Sequence, residues 1–145
     1  MARNPRIHYP GAIYHVILRG NYRQPVFYPP TDQQLWQSIL IDALERYNSS
    51  IHCFCWMTNH LHTAIQVSEE PLAAAIRYAA SQYSRKINLS QGRTGHLFER
   101  RHRAILVEDE NQLKGLVRYI HNNPVRAGMV EHPGEYRWNS HPLYT

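Results

Sequence analysis

Two hydrophobic periodicities alternate along this chain. The stretch AIYHVILRGN, residues 12–21, is rich in β-branched and aromatic residues and ends at Gly-Asn, which predicts a strand closing into a turn. After PPTD, where Thr31 or Asp32 can cap, QQLWQSILIDALERY brings Leu35, Trp36, Ile39, Leu40, Ala43 and Leu44 to helical spacing. SIHCFCWMTN then alternates as a strand and HLHTAIQV follows almost at once as another. Thr58-Asn59 is the only turn chemistry between them, so the pair is expected to form an antiparallel hairpin. A second helix is expected from about Pro71 to Ile87, with proline at a tolerated first position and Leu72, Ile76, Ala79, Ala80 and Tyr83 as its apolar stripe. NLSQGRTG reads as a loop, and a strand is expected around His102 to Val107. Asp109 can cap a third helix, ENQLKGLVRYIHN, which Pro124 should end near Asn123.

The resulting order is strand, helix, strand, strand, helix, strand, helix. It predicts an α+β fold, a ferredoxin-like antiparallel sheet with helices largely on one face, formed by residues 1–145 as one domain. The tail GEYRWNSHPLYT is aromatic and polar without clear periodicity, and is expected to pack along the domain or a ligand.

Composition adds little to the fold and more to the partner. The chain is 43% hydrophobic and 19% charged, as in ordinary globular proteins. No apolar run approaches a membrane span and the N-terminus has no signal pattern, so a cytoplasmic protein with no membrane partner is expected. Cys53 and Cys55, side by side on one strand face, make a poor disulfide and read as reduced core residues. Sixteen Lys and Arg against 11 Asp and Glu leave a net charge of +5, mostly as arginine. That favours a polyanionic partner, although a merely basic protein has the same balance.

The candidate chemistry lies in NHLH. Side chains at i and i+2 of a strand point the same way, so His60 and His62 stand together while Leu61 faces the other layer. Two such imidazoles can share a metal ion if another element supplies a third ligand. In a chain with 10 histidines, chance supplies such a pair too. The hairpin offers a rival, because folding about Thr58-Asn59 brings Cys55 near His62, and Cys53, Cys55, His60 and His62 could hold structural zinc. The apolar setting of the cysteines argues against it. In RYIHNNP, Tyr119 and Asn123 are four apart and share a helix face, offering a phenol and an amide oxygen. A tyrosine can be a covalent nucleophile, and a metal beside it can polarise a phosphodiester. On these residues alone, a core tyrosine and a helix-ending asparagine pair remain the simpler reading.

PRIHYPGAIYHVILRGNYRQPVF, MTNHLHTAI, GHLFERRHRAILVED, RYIHNNPVRAGMV and YRWNSH follow one another in an order that resembles the single-tyrosine HUH transposases, specifically the REP-associated tyrosine transposases related to the IS200-type enzymes. The resemblance implies the HUH endonuclease fold, with His60 and His62 as the HUH pair, Asn123 as third ligand of a Mg²⁺ or Mn²⁺ ion, and Tyr119 as nucleophile. It implies cleavage and rejoining of single-stranded DNA beside a palindromic-repeat hairpin, through a 5′-phosphotyrosine and a freed 3′-hydroxyl. Tyr83, the nearest competing tyrosine, has Ile87 four residues on and is read as packing or a DNA contact. Thr58 stands where a proline is common in the family. A monomer is favoured over a helix-exchanging homodimer. The alternative functions are a catalytically weak protein that binds the same hairpins, and a small zinc-stabilised protein.

The residues expected to hold DNA are Arg3 and Arg6 of the N-terminal arm, Arg19 and Arg23 at the first turn, and Arg85 and Lys86 late in the second helix. Arg100, Arg101 and Arg103 of FERRHR join them, with Arg126, and Phe98, Tyr136 and Trp138 are candidates for stacking on unpaired bases.

Overall fold

A computed structural model describes residues 8–144, so the expected DNA contacts Arg3 and Arg6 lie outside the described residues. Its strands are β1 (Ile13–Arg19), β2 (Ser50–Trp56), β3 (His60–Gln66) and β4 (Arg103–Val107); its helices are α1 (Thr31–Arg46), α2 (Leu72–Gln91), α3 (Glu110–His121) and the single turn α4 (Asn123–Arg126). β2 and β3 form the expected hairpin, with Trp56 opposite Leu61 and Cys55 opposite His62. β1 inserts beside β3 and β4 beside β1, all antiparallel, giving the order β2-β3-β1-β4. The α+β, ferredoxin-like plan is therefore the fold.

Strand alternation divides the interior into two layers. Tyr14, Val16 and Leu18 of β1, Leu61 and Ile65 of β3 and Trp56 of β2 pack with the apolar stripes of α1 and α2. Trp36, Tyr83 and Phe98 form an aromatic cluster there, with ring centroids 5.5 to 6.1 Å apart. Tyr83 is fully buried and its hydroxyl donates to the Val26 carbonyl at 2.6 Å, which makes it a packing residue. The opposite layer is smaller: Cys53, Cys55, Met57 and Ala64 pack against Ile120, Leu116 and Val117 of α3. The expectation of helices on one face thus holds for α1 and α2, while α3 covers part of the other.

Local chemistry moves some boundaries. Asp109 caps α3 as expected, its carboxylate accepting from the Gln112 N–H at 2.8 Å. Asp32 instead accepts from the Tyr28 N–H at 2.9 Å, bracing the loop before α1. α2 runs on through NLSQ to Gln91 and stops at Gly92 in the left-handed region (φ 62), the conformation that glycine reaches without a Cβ clash. Pro124 ends α3 at His121 and enters α4 near its start, where a missing N–H costs nothing. The tail completes the open side of β2: Trp56 N–H donates to the Trp138 carbonyl at 2.8 Å, and Ser140 N–H to the Phe54 carbonyl at 3.0 Å.

Candidate active site

His60 and His62 project from β3 on the α3 side of the sheet, at the end that α3 leaves partly uncovered. Their ring centroids are 5.0 Å apart. His60 Nδ1 lies 2.8 Å from Asn59 Oδ1, and the Asn59 amide nitrogen donates to the Arg23 carbonyl at 3.3 Å, which fixes the amide's orientation and makes its oxygen the acceptor. His62 Nδ1 lies 3.0 Å from Nε2 of His15, a buried histidine of β1. Both Nδ1 atoms are therefore engaged, and each ring keeps Nε2 for another partner.

The histidines are held neutral. Burial first, then the neighbouring His15 and His60 rings and Arg19 and Arg126, push His62 down to about 3. Burial and Arg103 lower His15 to about 4. Burial and Arg19 lower His60, while a hydrogen bond with the Asn123 side chain acts in the opposite sense. Neutral imidazoles keep the lone pairs that a metal needs.

Tyr119 comes to this place from α3, its ring 6.0 Å from those of His15 and His62, edge to face. It is half exposed. Asn123, one turn further, lines the same cleft of about 900 Å³ with His15, His60, His62, Tyr119, Arg19, Arg23 and Arg103. Arg126, expected to touch DNA, is exposed beside Tyr119: its guanidinium lies 4.1 Å from the Tyr119 ring centroid and donates to the Tyr119 carbonyl at 2.9 Å. It braces the tyrosine. The zinc alternative does not form, since among the described residues no three His, Cys, Asp or Glu side chains gather as a metal group. Cys55 Sγ faces Met57 Sδ at 3.7 Å, and burial pushes both thiols up to about 12.

The remaining expected DNA contacts divide. Arg85, Arg100 and Arg101 border a second groove between α2 and β4, on the other face of the sheet, together with Arg77. Lys86 is exposed on α2 and borders neither cavity. Phe98 is not a stacking platform, because it is only 7% exposed and packs against Trp36 and Tyr83. Tyr136 donates its hydroxyl to the Trp56 carbonyl at 2.5 Å, while Trp138 is half-buried against the core, with the Arg137 guanidinium 4.6 Å from its ring centroid and its own carbonyl bonded to the edge of β2. Sequence reasoning missed His15 and the link through Asn59. A histidine inside an Ile- and Val-rich strand was the available signal for His15, but its partner depends on the β1–β3 register.

Known proteins are similar to this chain. The family model described as IS200-like transposase matches residues 8–123. A protein of Haemophilus influenzae named as a REP-associated tyrosine transposase is 27% identical over 116 residues, 72% of this chain and 66% of its own, so the chain spans about two thirds of that relative. The structure of a REP-associated tyrosine transposase bound to a REP hairpin aligns over 99% of this chain and 84% of its own, with a TM-score of 0.83 at 16% identity. A structure from Deinococcus radiodurans named as a transposase covers 83% of this chain and 97% of its own, with a TM-score of 0.57 at 15% identity. At such identities the two structures speak for the fold, while the family model speaks for descent. Since its match runs from the start of the sheet to Asn123, the last residue of the cleft, we conclude that the chain belongs to the IS200-like transposase family.

Proposed function

We propose that this chain cuts and rejoins single-stranded DNA beside a hairpin, using Tyr119 as nucleophile and a divalent ion held by His60, His62 and Asn123. The observation that carries this reading is convergence: these four side chains, from β3, α3 and α4, with His62 and Tyr119 57 residues apart along the chain, line one cleft. The donor set fits a metal, because both imidazoles are neutral with Nδ1 engaged, and an amide reaches the same ring. Two nitrogens and an amide oxygen suit Mn²⁺ better than Mg²⁺. When bound, the ion supplies charge neutralisation and orientation for a phosphodiester.

The protein's own part is to present the phenol. Tyr119 oxygen attacks phosphorus, the bond from phosphorus to the 3′ oxygen breaks, and the 5′ side stays on the tyrosine as a phosphodiester. The phenol proton passes to water, and the freed 3′ oxygen takes a proton from water. Because the phosphotyrosine conserves the bond, a 3′-hydroxyl can attack it in reverse and no nucleotide cofactor is required. Arg126 over the ring restricts its swing, and Arg19, Arg23 and Arg103 at the cleft supply positive charge for the strand. Tyr119 meets His15 and His62 of its own chain, which supports action as a monomer.

For the hairpin, the structural relative bound to one offers the analogy, and the groove bordered by Arg77, Arg85, Arg100 and Arg101 offers the charge. Its separation from the cleft by β4 suits a stem on one side and a flank on the other. The test is an end-labelled hairpin repeat from DNA near the gene, incubated with Mn²⁺ or Mg²⁺ and run on a denaturing gel. A nick and a covalent adduct are expected from the wild type, and neither from Tyr119→Phe or with chelator. Tight binding without cleavage in any divalent ion would leave a hairpin-binding protein, and cleavage surviving in Tyr119→Phe would mean another nucleophile.

A further inference from the structure

Between β1 and α1, two successive non-glycine residues have left-handed backbone: Tyr22 at φ 55, ψ 29 and Arg23 at φ 60. L-residues resist this region, and strain of that kind persists only where the surroundings over-determine it. No packing offsets it at Tyr22, whose side chain is 94% exposed, more than any other large hydrophobic among the described residues.

The turn beneath it is firmly tied. A Cβ on Gly20 would lie 2.0 Å from the Gln24 carbonyl oxygen, so the backbone closes there as only glycine allows. Asn21 N–H donates to the Leu97 carbonyl at 2.8 Å and Gly20 N–H to the Asn59 carbonyl at 2.8 Å. The Gln24 amide reaches the His96 and Leu97 carbonyls at 3.1 and 3.0 Å. Asn59 also joins the turn to the catalytic end of the sheet, since its side chain holds the Arg23 carbonyl on one side and His60 Nδ1 on the other. The result is a firmly held turn that presents a solvent-facing aromatic ring next in sequence to Arg23, which lines the Tyr119 cleft with Arg19. An exposed π-face beside guanidinium groups is the chemistry that takes an unpaired nucleobase and its phosphate, with little preference among bases.

We propose that Tyr22 is a stacking platform for an unpaired base of the single strand whose phosphate enters the Tyr119 cleft, an assignment that rests on the reading of that cleft as a DNA-cleaving site. The test compares two probes in chelator, a gene-proximal hairpin repeat with its single-stranded flank and the same hairpin made blunt. Tyr22→Ala is expected to weaken flanked-hairpin binding by roughly 5- to 150-fold, the fold-change equivalent of one lost base stack. Tyr22→Phe and Tyr22→Trp retain it, and the blunt hairpin is unaffected. Tyr22→Gly relieves the backbone, so the same loss of binding with undiminished thermal stability separates the ring's role from the fold. A 5-iodouracil flank should photocrosslink to the Tyr22 peptide. Unchanged flank affinity in Tyr22→Ala, an equal loss on the blunt hairpin, or a loss traced to breakup of a dimer would overturn the assignment. If that occurs while Tyr119-dependent nicking stands, only the platform fails; if the wild type neither binds nor cuts the flanked hairpin, both readings fail.

Discussion

At the residue scale, His15 acts on the proposed metal through another ring. Its Nε2 stands 3.0 Å from His62 Nδ1, and that contact holds the ring orientation of the proposed ligand. Partners of this kind commonly account for 10- to 100-fold in metal affinity. His15→Ala is therefore expected to weaken Mn²⁺ binding by about that factor in an electron paramagnetic resonance titration, with His15→Gln recovering part of it. An unchanged affinity would remove His15 from the site. Phe98 makes the opposite case. It stood in the sequence as an aromatic beside arginines, yet it lies in the core. Phe98→Ala should cost about 3–5 kcal/mol in urea denaturation, and hairpin affinity measured well below the unfolding midpoint should hardly move. His60, His62, Tyr119 and Asn123 were legible as candidates because strand and helix spacing place them pairwise. The burial of Phe98 was not, because nothing in a sequence says which side of an aromatic faces inward.

At the element scale, the position of α3 depends on contacts at both ends. Asp109 caps its start, while near its end His121 Nε2 and Ser140 Oγ lie 2.7 Å apart, and that serine also accepts from the Phe54 N–H at 2.9 Å. One tail hydroxyl thus connects α3, which carries Tyr119, to the edge of β2. Ser140→Ala removes the acceptor of the half-buried Phe54 N–H and one contact of the buried His121 ring, and should destabilise the chain by about 1–3 kcal/mol. Faster amide exchange confined to β2 and the end of α3 would locate the effect, and unaltered exchange there would argue against the link. The cap on α3 and the β2–β3 hairpin could be read directly, since both are local. The extension of α2 to Gln91 could not, because Asn88 and Ser90 are weak helix formers whose conformation is decided by the helix that precedes them and the glycine that follows.

For the whole molecule, buried neutral histidines set an acid limit. His62 at about 3, and His15 and His121 at about 4, all lie below the ordinary 6.5 of an unfolded chain. Below pH 6.5 the unfolded chain takes up protons that the folded one refuses, so stability falls as pH drops from about 6.5 toward 4. The melting temperature should decline steadily over that window, and His121→Gln should flatten part of the slope; a melting temperature independent of pH from 7 to 5 would contradict the buried, neutral state. The sequence by itself determined the elements, the α+β plan, the basic character and the paired placement of His60 with His62 and of Tyr119 with Asn123, because each depends on spacings of a few residues. Tertiary structure alone decided that these pairs meet in one cleft, that His15 backs His62, that Arg126 braces Tyr119 and that the basic residues divide between two faces. Those facts depend on strand register and helix docking, and the contacts that set them lie far apart along the chain.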